Sequence, residues 1–141
     1  MGRKIYGEAM AYWLMKSESG TYSWDDLLRD GRTAWDGVRN PAARLHLKSM
    51  KAGDEAFFYH SGDERAVVGI MRIAGEGSPD GADGAWVKVP VEPVRPLGPV
   101  TLKAIKAEPR LAKMELVRQS RLSVSPVREE EWATVLEMAK G

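Results

Sequence analysis

Apolar runs along the chain are short and are separated by polar caps and turn signals. Residues 11–16 (AYWLMK) are short, aromatic and apolar, and end at polar Ser17-Glu18-Ser19-Gly20, which predicts a buried strand and a turn. Ser23-Trp24-Asp25-Asp26 reads as a capping box, with an acid at the third helical position, opening a short helix that stops at Gly31. Trp35-Asp36-Gly37 reads as a connector. At Asn40-Pro41 a capping residue precedes a proline at the first helical position, which predicts a helix to about Lys51, ended by Ala52-Gly53-Asp54.

Residues 55–61 and 66–74, rich in Phe, Val and Ile and separated by Gly62-Asp63-Glu64, predict two antiparallel strands at the centre of a sheet. The glycines of residues 75–85 predict a mobile loop, followed by a strand over 86–94 that Pro90 and Pro93 demote to an edge or a bulged one. Thr101 can cap a short helix and Glu108-Pro109 can open another. Residues 121–125 read as a last strand and 127–138 as a closing helix. Strands interleaved with short helices predict an α+β fold, a small barrel with helices around it.

Composition narrows this. A chain of 141 residues suits one domain, and no apolar run approaches the roughly 18 residues of a membrane span. Residues 1–10 lack the apolar segment of a secretory signal and are expected to be a flexible extension before a domain at 11–141. With zero cysteines, the expected compartment is the reducing cytoplasm. The net charge is only +1, but it is segregated: between Asp36 and Asp54 there is no acid, while Arg39, Arg44, Lys48 and Lys51 fall there, and residues 101–128 carry a net +5.

Catalytic patterns are sparse. Without cysteine, and with only His46 and His60, no cluster has the spacing of metal ligands, so no metal or cofactor is expected. His60 and Ser61 are strand neighbours whose side chains point to opposite faces, so they cannot pair as base and nucleophile. Gly75-Glu-Gly77 with Gly81 lacks the helix that a phosphate loop needs. The acids Asp25-Asp26 and Glu129-Glu130-Glu131 sit in first helical turns, where they suit the helix dipole.

Binding features are stronger. On a helix over 40–51, Arg44, Lys48 and Lys51 share one face beside an apolar stripe of Ala43, Leu47 and Met50. A solvated face and a phosphate-binding face both fit, and the missing compensating acid favours the second. Of five tryptophans, Trp13 and Trp132 read as core and Trp24 fits either role. Trp35, in a connector before the basic helix, is the candidate to stack on a base.

Trp13-Leu-Met-Lys-Ser-Glu18, Tyr22-Ser-Trp-Asp-Asp-Leu27, Trp35-Asp-Gly-Val-Arg-Asn40, Phe57-Phe-Tyr-His-Ser61, Val68-Gly-Ile70 and Arg121-Leu-Ser-Val-Ser-Pro126 resemble the successive motifs of the EVE family. The resemblance implies a PUA-like pseudobarrel of mixed strands with peripheral helices, akin to YTH and ASCH domains. It also implies a domain that binds DNA or RNA and reads a modified base without catalysing a reaction; the expected state is a monomer. Carried onto this chain, the pocket comprises Ser17, Trp24, Trp35, Asn40 and Ser61. Lys16, Arg39, Arg44, Lys48 and Arg121 contact the nucleic-acid backbone. Pro41 and Ser78 stand where the family usually has aromatics, which implies a more open pocket. The alternative is an ASCH-like hydrolase of a modified nucleoside, drawing on Lys16 and Glu18 near the pocket mouth, although these two can also form a strand-end ion pair.

Overall fold

The apolar run along residues 55–61 forms a strand with two dry faces: Phe57 and Tyr59 join one apolar cluster, Ala56 and Phe58 another. The computed structural model describes residues 10–82 and 84–140, so the expected N-terminal extension lies outside the described residues apart from Met10. Its seven strands are β1 (Tyr12–Glu18), β2 (Thr33–Trp35), β3 (Glu55–Ser61), β4 (Ala66–Ile73), β5 (Ser78–Pro79), β6 (Val87–Thr101) and β7 (Val124–Val127). They run in the order β2-β6-β4-β3-β1-β7, with β5 against β6, in an open sheet that curls into a half-barrel. All pairings are antiparallel except β1 with β3, whose parallel match requires a crossover.

Helices cover both faces. On one side α1 (Trp24–Asp30) and α2 (Pro41–Ser49) bury Trp24, Leu27, Ala43 and Leu47 among Trp13, Met15 and Phe58. On the other, α3 (Leu102–Ala107), a 3-10 turn (Pro109–Leu111), α4 (Glu115–Arg118) and α5 (Glu129–Lys140) bury Ile105, Leu111, Leu116 and Trp132. Trp132 lies between Phe57 and Tyr12, with ring centroids 3.9 and 4.3 Å away. Trp13 is also core, its indole N–H donating to buried Asp54 at 3.0 Å. Both capping predictions hold: Ser23 and Asp26 form the reciprocal box, and Asn40 Oδ1 accepts from the Ala43 N–H at 2.9 Å.

Several expected boundaries change. Residues 33–35 form β2, which takes Trp35 out of the expected connector, because Trp35 and Thr33 pair across to Val89 and Val91. The prolines do not push β6 to an edge; it lies between β2 and β4, and its ladder with β4 shifts register twice instead. The glycine-rich loop contains β5, paired with the start of β6. Residue 127 ends β7, and the closing helix begins at Glu129.

Gly69 sits at the irregular stretch of β4, where a Cβ would lie 2.6 Å from the Trp24 ring. The Trp24 indole N–H is buried without a partner among the described residues, so that ring is held by packing. Gly69→Ala is therefore expected to lower stability by about 1–3 kcal/mol through overpacking. The check is a urea midpoint, with Gly69→Ala losing less when Trp24 is replaced by leucine.

Candidate nucleic-acid interface

A cleft of about 490 Å³ opens where the end of β1, β2 and the 36–40 connector converge, lined by Lys16, Ser17, Tyr22, Trp35, Arg39 and Asn40 among others. This volume lies within the ~300–1,000 Å³ of small-molecule sites. Hydrogen bonds fix several of the lining groups. The Ser17 hydroxyl donates to the Tyr22 carbonyl at 2.6 Å, leaving its oxygen as an acceptor. Asn40 spends its side-chain oxygen on the α2 cap and keeps its amide N–H groups as donors. Gly37, at φ 77°, makes the left-handed turn that carries the chain from β2 to that cap.

Positive charge borders the cleft. Lys16 is half-buried, and its Nζ donates to the Ser120 carbonyl at 2.8 Å. Burial holds its ammonium below the ordinary lysine value. Arg39 donates to Asp80 at 2.9 Å and lies 5.5 Å from the centroid of the Trp86 ring. Asp80 also accepts the Gly37 N–H at 2.9 Å, tying the glycine-rich loop to the cleft rim. That backbone hydrogen bond, then Arg39, holds the Asp80 carboxyl below its usual range. Tyr22 is pushed up by burial and by its bond to Asp30.

Trp35 is placed differently from the sequence expectation. Alternation on β2 turns it inward and leaves Ala34 outward, so Trp35 is 7% exposed and packs edge-on to Phe58 at 5.3 Å. It forms a wall of the cleft rather than a free stacking platform. Trp24 does not line the cleft: at 5% exposure it is core, pressed on Gly69, with its backbone N–H donating to His60 Nε2. That bond requires Nε2 to be unprotonated, so His60 Nδ1–H donates to Glu64 at 2.6 Å. Ser61 ends β3 opposite Glu18 and is also outside the cleft. No ion pair joins Lys16 to Glu18 among the described residues, because Lys16 reaches Ser120 instead.

The cations are distributed over three hollows. Lys16 and Arg39 line the cleft. Arg121 lines a shallow hollow of about 330 Å³ that shares Asn40 with it. Arg44 and Lys48 line a separate groove that includes Trp86. Sequence reasoning missed Tyr22, Ser123 and Asp80. Ser123 arrives only because its carbonyl accepts the Lys16 N–H, and Asp80 only because β5 pairs with β6. Among the described residues, no three His, Cys, Asp or Glu side chains converge as a metal site, and no helix is long and apolar enough to cross a membrane.

The family model of the EVE domain matches residues 11–138. The chain belongs to the EVE family. Mouse thymocyte nuclear protein 1 is 34% identical to this EVE domain, over 90% of this chain and 73% of that protein. An NMR structure of a Rhodopseudomonas palustris protein is 49% identical, with a TM-score of 0.89 over 93% of this chain and 94% of that one. The crystal structure of human THYN1 in complex with DNA containing 5-methylcytosine is 33% identical, with a TM-score of 0.84 over 93% and 98% of the two chains. An ASCH protein from Zymomonas mobilis, 10% identical with a TM-score of 0.55 over 90% and 94%, shares the fold alone. The EVE domain thus has the α+β, PUA-like pseudobarrel that its motifs imply.

Proposed function

We propose that this EVE domain binds nucleic acid and reads one modified base in the cleft bounded by Lys16, Ser17, Trp35 and Asn40. The observation that carries this reading is the convergence of an indole wall, a hydroxyl acceptor and an amide donor in one hollow with lysine and arginine at its rim. The relative solved with DNA containing 5-methylcytosine makes a methylated cytosine in DNA the first ligand to test.

The energetics divide the work. Cations hold the phosphates, without sequence preference and with strong salt dependence. Contact with an aromatic ring is worth about 1–3 kcal/mol, comparable to the cost of taking a base out of its stack. A buried methyl adds about 0.8 kcal/mol, or roughly fourfold in affinity. Higher selectivity therefore has to come from polar contacts, to which Asn40 contributes its amide and Ser17 its oxygen.

Asn40→Asp separates these roles, because aspartate caps a helix as well as asparagine does but has no amide donor. Its stability is expected to stay within about 0.5 kcal/mol of wild type. Its affinity for a strand bearing 5-methylcytosine should fall at least about tenfold, through the lost donor and the added negative charge. Fluorescence anisotropy at fixed salt, with methylated and unmethylated strands, makes the test; unchanged affinity and preference would sink the assignment.

The hydrolase reading draws on one observation, a half-buried Lys16 with a lowered pKa beside the cleft. Against it, the Lys16 Nζ is bonded to a carbonyl and the Ser17 proton to another, so neither is paired with a base. Turnover of an acylated or alkylated nucleoside, lost in Lys16→Ala, would select it.

A further inference from the structure

A second groove, of about 480 Å³, meets the cleft at one pair of side chains. Arg39 lines the cleft, and its guanidinium lies over Trp86, which lines the groove. Arg44, Lys48 and Lys51 also line the groove, with Met50 and Val87 as apolar lining and Glu76 as its one acid among the described residues. None of these three cations has a carboxylate partner among the described residues, whereas Arg29, Arg32, Arg110 and Arg118 are each within 3.2 Å of one. Lys51 and Trp86 have no part in the cleft.

We propose that this groove takes the single-stranded segment flanking the base read in the cleft, with phosphates on Arg44, Lys48 and Lys51 and a base against Trp86. This rests on the nucleic-acid reading above and extends it to the strand's path. Cations beside an aromatic wall suit single strands, because an indole needs an unstacked base face and a duplex offers none along its length. Arg39, on the ridge between the two hollows, faces the phosphate that joins the read nucleotide to its neighbour. Its present partner, the Asp80 carboxylate, offers Arg39 and the Gly37 N–H the same anionic oxygen that a phosphate brings.

The test compares a short strand centred on 5-methylcytosine with strands extended by about four to six nucleotides on the 5′ or the 3′ side, within the size range of single-strand sites. Extension on one side is expected to tighten binding about tenfold or more. Trp86→Ala and the double variant Lys48→Ala/Lys51→Ala should each remove most of that gain. The double variant should also lower the salt slope by about 1.4, at roughly 0.7 per phosphate contact on a single strand. Because both lysines are exposed, the double variant keeps the test valid if Trp86→Ala unfolds.

No gain on extension in wild type, or equal losses on the short and the extended strand, would overturn the groove. A one-sided gain without any preference for the methylated base would leave the groove standing and refute the cleft reading. Preference for the methylated base without a flank effect would do the reverse.

Discussion

Replacing Asp54 by alanine should lower stability by about 3–5 kcal/mol, a large part of the roughly 5–15 kcal/mol that holds a typical domain. Asp54 is 6% exposed, and its carboxylate accepts three N–H donors: Ala11 at 3.2 Å, the Trp13 indole at 3.0 Å and Lys51 at 3.0 Å. Hydrogen bonds to a charged group are worth about 1.5–3 kcal/mol each, and the indole N–H would be left buried without an acceptor. The two backbone donors, nearer the surface, can turn to water, so the loss falls short of the full sum. Asp54→Asn keeps the shape but faces the donors with an amide, and should recover less than half. Equilibrium urea unfolding with an unchanged m-value is the check, and a loss below about 1 kcal/mol would contradict the account. The consequence reaches the interface: Asp54 ties the start of β1, which carries Lys16 and Ser17, to the end of α2, which carries Arg44 and Lys48. Weakening it should loosen both halves of the proposed binding surface together.

Trp35 carries the second large effect, and it separates stability from recognition only through a conservative change. Because the ring is core on one side and cleft wall on the other, Trp35→Ala should cost about 3–5 kcal/mol of stability, and any binding loss would be confounded by unfolding. Trp35→Phe keeps an aromatic against Phe58 and should stay folded. It shortens the wall proposed to meet the base, so the roughly fourfold preference that a buried methyl supplies should shrink, while the salt-sensitive backbone binding remains. Equal losses on modified and unmodified strands would mean that the indole does not touch the base. Anisotropy titrations at two ionic strengths distinguish these outcomes.

What could be read from the chain follows from the range of the interactions involved. The caps at Ser23 and Asn40 are local, with all their partners within three residues, so both helix starts are visible in the sequence. The central hairpin is visible because its strands are consecutive, nearly continuous apolar runs separated by a short polar turn. β2 is not, because three residues carry no period, and what makes them a strand is Val89–Val91, more than fifty positions away. That omission made Trp35 look exposed. Trp24 was open between core and pocket until Gly69 supplied the missing half of its contact. The resemblance of motifs located the cleft's first edge at Lys16-Ser17 and its second at Trp35 to Asn40. It did not reveal Ser123 or Asp80, which reach the site only through the β1–β7 and β5–β6 pairings. Nor did a one-dimensional charge pattern separate the cations of the cleft from those of the groove, since Arg39 and Arg44 are five residues apart in the chain but line different hollows.

The most direct measurement follows the tryptophan indole N–H resonances while an oligonucleotide bearing 5-methylcytosine is added, with the Trp35 signal assigned through Trp35→Phe. The expected result is a saturable shift of Trp35, larger with the methylated than with the unmethylated strand, while the indoles of Trp13 and Trp132 stay in place. A Trp35 signal that does not move when the protein is saturated with the same strand would contradict a base seated in this cleft.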